Sequence, residues 1–306
     1  MIDMGIKNKN GDASKLTKVA KVTDDNNAFT AAKARARSQR KKLLEHQHTW
    51  LICGISGDPG TGKTGTALDC RTKEERETHW VFILDFDEGA EPTWRQHWSE
   101  DEKVFIFNPH VYTEDMEVDY LKTADMARFF IGMVKEAIDT KKIVFEDEEV
   151  EVLNVKALIF DGLDSWLDTT NMIARQNHIK GGNPRQADKV KMVPTQWFAR
   201  TQEYQRLFKA SCQLECHKFF ITHMKDTYDG FDISGSRPDW EKSTTAKLFQ
   251  HIHTYREERG NNTKLYAKVL KSKTNAKNEG QSFLLFENVK GEVTWHGLEG
   301  FKENNL

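Results

Sequence analysis

No apolar run in the chain approaches the length of a membrane span. Residues 1 to 27 hold no apolar block between their charges, so neither an anchor nor a secretory signal is expected, and the expected compartment is the cytoplasm. Cysteine is scarce. Cys53, Cys70, Cys212 and Cys216 are the only four in 306 residues, too few for a disulfide scaffold, and a chain of this length needs none to hold a core. They are read as reduced thiols. Cys212-x-x-x-Cys216-His217 lacks a full ligand set for a metal, which leaves buried cysteines as the reading. An excess of one charge is missing too: 45 Lys and Arg face 47 Asp and Glu, so any surface for a polyanion must be local.

What is present is enough for one α/β core with appendages, at 38% apolar and 30% charged residues. Residues 1–27 are polar and without periodicity, as in a flexible tail. Residues 28–47 place Lys33, Arg35, Arg37, Arg40, Lys41 and Lys42 among strong helix formers, as in a basic helix or linker. From residue 48 to 298 apolar runs alternate with helical patterns, and 299–306 form a short tail. The runs at 49–56, 79–87, 103–108, 155–166 and 217–224 read as buried strands. Residues 62–70, 122–139 and 195–214 read as helices, and 142–154 as a hairpin with an acidic tip. "KLYAKVLKSKT" and "QSFLLFENVKGEVTWHG" read as antiparallel strands near the C-terminus. Strands separated by helices imply a mainly parallel sheet with its ligand at the strands' carboxyl ends.

"GDPGTGKT" ends the first apolar run and matches G-x-x-x-x-G-K-[ST] at every specified position. Gly57, Asp58, Pro59, Gly60, Thr61, Gly62, Lys63, Thr64 and Gly65 are therefore expected to cradle phosphates, with Lys63 reaching the β and γ oxygens. Thr64 is expected on Mg²⁺, joined by Asp161 at the end of the run Ala157 to Phe160. A base must still orient the attacking water. Residue 162 is Gly rather than a carboxylate, so the choice moves to Asp85, Asp87 and Glu88 in "LDFDEG".

This constellation resembles the RecA-like ATPases. In that family the catalytic carboxylate lies two residues after an Asp on the strand following the phosphate-loop helix. Asp85-x-Asp87 is the match, with Asp where the family usually has Glu. The resemblance makes Asp87 the first choice of base and Glu88 the second. It implies an α/β, RecA-like P-loop NTPase core over 48–298, a mainly parallel sheet flanked by helices, with C-terminal antiparallel strands. "FFITHMKD" resembles the strand whose tip senses the γ-phosphate, which gives Thr222 or His223 that role. Lys271 and Lys273 match the basic pair that can reach a neighbouring subunit's nucleotide. The loops at 175–192 and 225–247 correspond to those that hold DNA. The first carries Arg175, Lys180, Arg185, Lys189 and Lys191; the second combines Lys225, Arg237 and Lys242 with Phe231 and Trp240 as stacking platforms.

A core without large accessory domains looks like the phage-encoded RecA-like enzymes of recombination and single-strand annealing. The implied protein is an ATP- and Mg²⁺-dependent hydrolase that binds single-stranded DNA as a homo-oligomer, ring or filament, away from membranes and in the host cytoplasm if viral. Two alternatives stay open: a motor that packages or translocates viral DNA, and a nucleotide-gated module that binds proteins.

Overall fold

The computed structural model describes residues 25–44, 50–177, 191–230 and 232–298. The chain divides into two units, Met1–Thr49 and Trp50–Leu306. In the first unit, helix α1 (Asp25–Leu44) carries the basic stretch, with Lys33 Nζ 4.5 Å above the ring of Phe29.

The second unit opens with β1 (Ile52–Gly57), α2 (Lys63–Leu68), α3 (Lys73–Thr78), β2 (His79–Asp85), α4 (Ala90–His97) and β3 (Val104–Phe107). Then come α5 (Tyr120–Thr140), a small hairpin of β4 (Lys142–Val144) and β5 (Glu149–Glu151), β6 (Asn154–Asp161), α6 (Leu163–Gln176), α7 (Pro194–Cys212) and β7 (His217–Thr222). A second hairpin, β8 (Met224–Asp229) and β9 (Asp232–Pro238), leads through α8 (Thr244–Lys247) to β10 (Gln250–Arg259), β11 (Asn262–Ser272), β12 (Ser282–Val289) and β13 (Glu292–Trp295).

One nine-stranded sheet organises this unit, in the order β13-β12-β11-β10-β1-β7-β6-β2-β3. From β10 to β3 all neighbours are parallel. From β10 to β13 they are antiparallel. The core is thus α/β, mainly parallel and flanked by helices, with antiparallel strands at its C-terminal end. Strands β2, β6 and β7 are buried almost throughout, as expected where both faces of a parallel sheet are covered.

Helices α5, α6 and α7 cover one face, packing Phe130, Trp166 and Phe208 against Phe82, Phe160 and Phe220. Helix α5 buries Ala124, Ala127, Phe130, Ile131, Val134 and Ala137, a stripe at three- and four-residue spacing. Asp119 caps its start by accepting from the Lys122 N–H at 3.1 Å, and left-handed Lys141 ends it. Ala67 and Leu68 of α2 help cover the other face, against Ile55, Ile83, Ile159 and Ile221.

Three segments differ from the sequence reading. The strand expected over 155–166 stops at Asp161, because Gly162 turns left-handed at φ 87° and Leu163 begins α6. The loop expected over 225–247 is largely the β8–β9 hairpin and α8. Strand β10, which carries no strand pattern in the sequence, pairs in parallel with β1, and Gln250 and His251 bury polar side chains there.

Candidate nucleotide site

The phosphate loop leaves β1 at its carboxyl end. Gly60 and Gly62 take φ of 73° and 80°, values that L side chains rarely adopt. Gly57 meets a different limit: a Cβ there would lie 2.3 Å from Thr254 Oγ1 on β10. Thr61 fastens the loop by donating to the Asp58 carbonyl at 2.7 Å, with its hydroxyl also 2.7 Å from that of Thr254. Lys63 is buried and donates to the carbonyls of Gly57 at 3.0 Å and Asp58 at 2.8 Å, folded back over the loop. Burial pulls its pKa down, against the carboxylates of Asp161, Asp164, Asp87 and Asp58, which pull it up.

Thr64 donates its hydroxyl to Asp161 Oδ2 at 2.7 Å. Asp161 is 3% exposed, and burial, with Asp85 and Asp87 adding to it, raises its pKa to about 7 despite Thr64 and Lys63. A buried carboxylate beside a threonine hydroxyl is an oxygen donor set that suits a hard divalent cation such as Mg²⁺.

Asp85, Asp87 and Glu88 part company here. Asp85, 2% exposed, accepts from the backbone N–H of Asp87 at 3.2 Å and of Ala90 at 3.0 Å, so it shapes the turn into α4. Glu88 sits at φ 57° with its carboxylate 2.8 Å from Asn108 Nδ2, on the outer side of the turn. Asp87 alone of the three lines the cleft with Lys63, Thr64 and Asp161. Ser165 donates to its Oδ1 at 2.7 Å, and burial raises its pKa.

His223 completes this end. Its Nδ1 lies 3.0 Å from Asp164 Oδ2 and 3.5 Å from Asp87 Oδ2, and the Asp164 hydrogen bond raises its pKa. Thr222 is buried, its hydroxyl 3.1 Å from the Asp239 carbonyl and 3.3 Å from Asp164 Oδ1. Asp164 and Ser165, which the sequence reading missed, come from the first turn of α6. The sequence signal for them is Gly162 directly after Asp161, a residue that ends an apolar run and leaves the next positions free to open a helix.

Against known proteins, no family model and no curated sequence matches the chain. Among solved structures it is similar to a KaiC-like protein from the hyperthermophilic archaeon Pyrococcus horikoshii, at 13% identity over 80% of this chain and 88% of that one, with a TM-score of 0.41. It is also similar to the RadB recombinase, at 11% identity over 79% of this chain and 89% of that one, with a TM-score of 0.43.

The residues expected to meet DNA are scattered in their fates. Arg185, Lys189 and Phe231 lie outside the described residues. Lys191, Arg237 and Lys242 are exposed. Trp240 is no stacking platform: it is 3% exposed, its ring fills the space that the missing side chain of Gly54 leaves open, and its Nε1 donates to Thr245 Oγ1 at 3.1 Å. Lys271 and Lys273 donate to the carbonyls of Thr245 at 2.5 Å and Ala246 at 2.9 Å, so both are tied to α8 of their own chain. Reaching a neighbour's nucleotide would require them to let go. The four cysteines are free thiols, and among the described residues no helix is long and apolar enough to cross a membrane.

Proposed function

We propose that the chain is a Mg²⁺-dependent P-loop ATPase that works on DNA as a homo-oligomer, with single strands as the preferred ligand. The observation that carries this reading is the convergence of Lys63, Thr64, Asp161, Asp87 and His223 on one cleft of about 430 Å³. A pocket of that size suits a nucleotide. Lys63 exchanges the loop carbonyls for the β and γ oxygens. Asp87, oriented by Ser165, accepts the hydrogen of the attacking water, and His223 stands beside it where the terminal phosphate ends. Mg²⁺ at Thr64, with Asp161 holding it through water, would supply neutralising charge to the phosphate oxygens.

DNA is the proposed partner because exposed Arg237 lies on, and exposed Lys242 follows, a hairpin whose first residue, Met224, directly succeeds His223. A change at the terminal phosphate therefore has a one-residue path to that hairpin. The basic helix or linker segment 28–47 would precede an ATPase core over 48–298. Recombination or annealing of the phage type is the process this reading implies.

The test is steady-state phosphate release from Mg²⁺-ATP with no DNA, single strands or duplex, at two salt concentrations. Stimulation by single strands that fades with salt is expected. Selective stimulation by duplex would point to a packaging motor instead.

One observation favours a second reading, the nucleotide-gated protein module. The described part of the hairpin tip holds Asp229 and Asp232 beside Tyr228 and Ile233, 63% and 64% exposed. Acidic and apolar groups suit a protein partner better than a phosphate backbone. Hydrolysis indifferent to both DNAs would favour it.

A further inference from the structure

Beyond the phosphates the cleft continues along a wall to which the sequence reading gave no role. Leu265 of β11, Phe286 of β12 and Trp295 of β13 supply its carbon surface, with His97 of α4 alongside. Trp295 is the centre of this group. Its ring centroid lies 5.7 Å from His97, 5.9 Å from Phe286 and 5.4 Å from Trp98. It also touches the phosphate loop: a Cβ on Gly65 would sit 2.7 Å from Trp295 Cη2, and one on Gly62 3.7 Å away. The glycines thus bring an indole against the start of α2. Trp295 stays half-buried, while its Nε1 is shielded from solvent. What it offers the cleft is ring carbon rather than a donor.

We infer that Trp295, with Leu265, Phe286 and His97, is the platform for the base of a purine nucleoside triphosphate, which it recognises by stacking and area rather than by hydrogen bonds. The inference rests on the nucleotide reading above and adds the substrate class. A triphosphate anchored over Gly62 and Lys63 leads toward this wall, the aromatic lining of the same cleft. Stacking tolerates any flat base because every base has a π-face, and its strength grows with ring size. Discrimination between adenine and guanine needs polar groups that pair with one base and are stranded by the other. Leu265, Phe286 and the exposed part of the Trp295 ring supply none, so any such discrimination would fall to His97, Gln96 and Thr93 in the same lining. The carbon wall itself ranks ligands by area: both purines alike, pyrimidines weaker, inorganic triphosphate weakest.

The test is calorimetric titration with Mg²⁺ and ATP, GTP, CTP or inorganic triphosphate, on the wild type, Trp295→Ala and Trp295→Phe. ATP and GTP are expected within about fivefold of each other, and CTP roughly tenfold weaker. Trp295→Ala should cost ATP about tenfold while leaving inorganic triphosphate unchanged, and Trp295→Phe, which keeps a ring, about threefold. Should the alanine variant fail to fold, the ratio of ATP to triphosphate affinity in the phenylalanine variant decides. Equal losses for ATP and triphosphate would overturn the platform and make Trp295 a prop for the loop. Unchanged ATP binding, or a preference above about fiftyfold between the two purines, would overturn it as well. A wild type that binds triphosphate but gains nothing from a base sinks the platform alone. One that binds neither sinks the phosphate-loop reading with it.

Discussion

A Cβ on Gly162 would meet Asp87 Oδ1 at 2.4 Å, on a backbone held at φ 87°. That contact explains why the residue after Asp161 carries no carboxylate: the carboxyl group of Asp87 already occupies the space, arriving from the neighbouring strand. Gly162→Ala is expected to push Asp87 aside and cut turnover roughly a hundredfold while ATP binding stays within about threefold, read by single-turnover kinetics beside calorimetry. Asp87→Asn should bind ATP normally and lose turnover by about 10²–10⁴-fold. Full turnover in that variant would end the assignment of Asp87 as the base. Lys63→Ala should abolish measurable nucleotide binding, and wild-type affinity there would end the assignment of the loop.

Strand β10 joins the phosphate-loop strand through a polar contact, His251 Nε2 to Ser56 Oγ at 2.9 Å. Burial, helped by His253 and Lys271, lowers the His251 pKa from 6.5 to about 4. The unfolded chain therefore takes up a proton near pH 6.5 that the folded chain refuses until about 4. Stability is fully present above pH 6.5 and is lost as pH falls toward 4, by about 2–3 kcal/mol at most. Urea unfolding at pH 7.5 and 4.5 should show that loss in the wild type and a smaller one in His251→Gln. The same polar residues kept β10 out of the sequence reading. "QHIHTYREER" has neither an apolar run nor clean alternation, whereas β1, β2, β6 and β7 announce themselves as apolar stretches. The β8–β9 hairpin was illegible for a related reason, since its residues are mostly exposed and no face is buried. The burial of Trp240 is not legible in the sequence because it depends on Gly54 and Leu248, and no spacing around Trp240 shows the first of them. The phosphate loop, by contrast, is legible because its chemistry is local: consecutive residues supply the turn, the cation and the hydroxyl.

At the scale of the whole molecule, the site draws on both ends of the core. Thr61 of the phosphate loop and Thr254 of β10 are hydrogen-bonded across 193 positions. The wall beyond comes from the antiparallel strands that follow β10. Mg²⁺-ATP at a hundred times its Kd is expected to raise the unfolding free energy by about 2.7 kcal/mol, visible as a higher Tm that Lys63→Ala fails to show. The mixed sheet thereby gives the nucleotide a second use. A chain still emerging from the ribosome has its phosphate loop long before β11, β12 and β13 exist, and has nothing to rest a base upon. On the reading proposed above, ATP would act as a clasp that closes only once β13 has been made, holding the first strand of the sheet to the last.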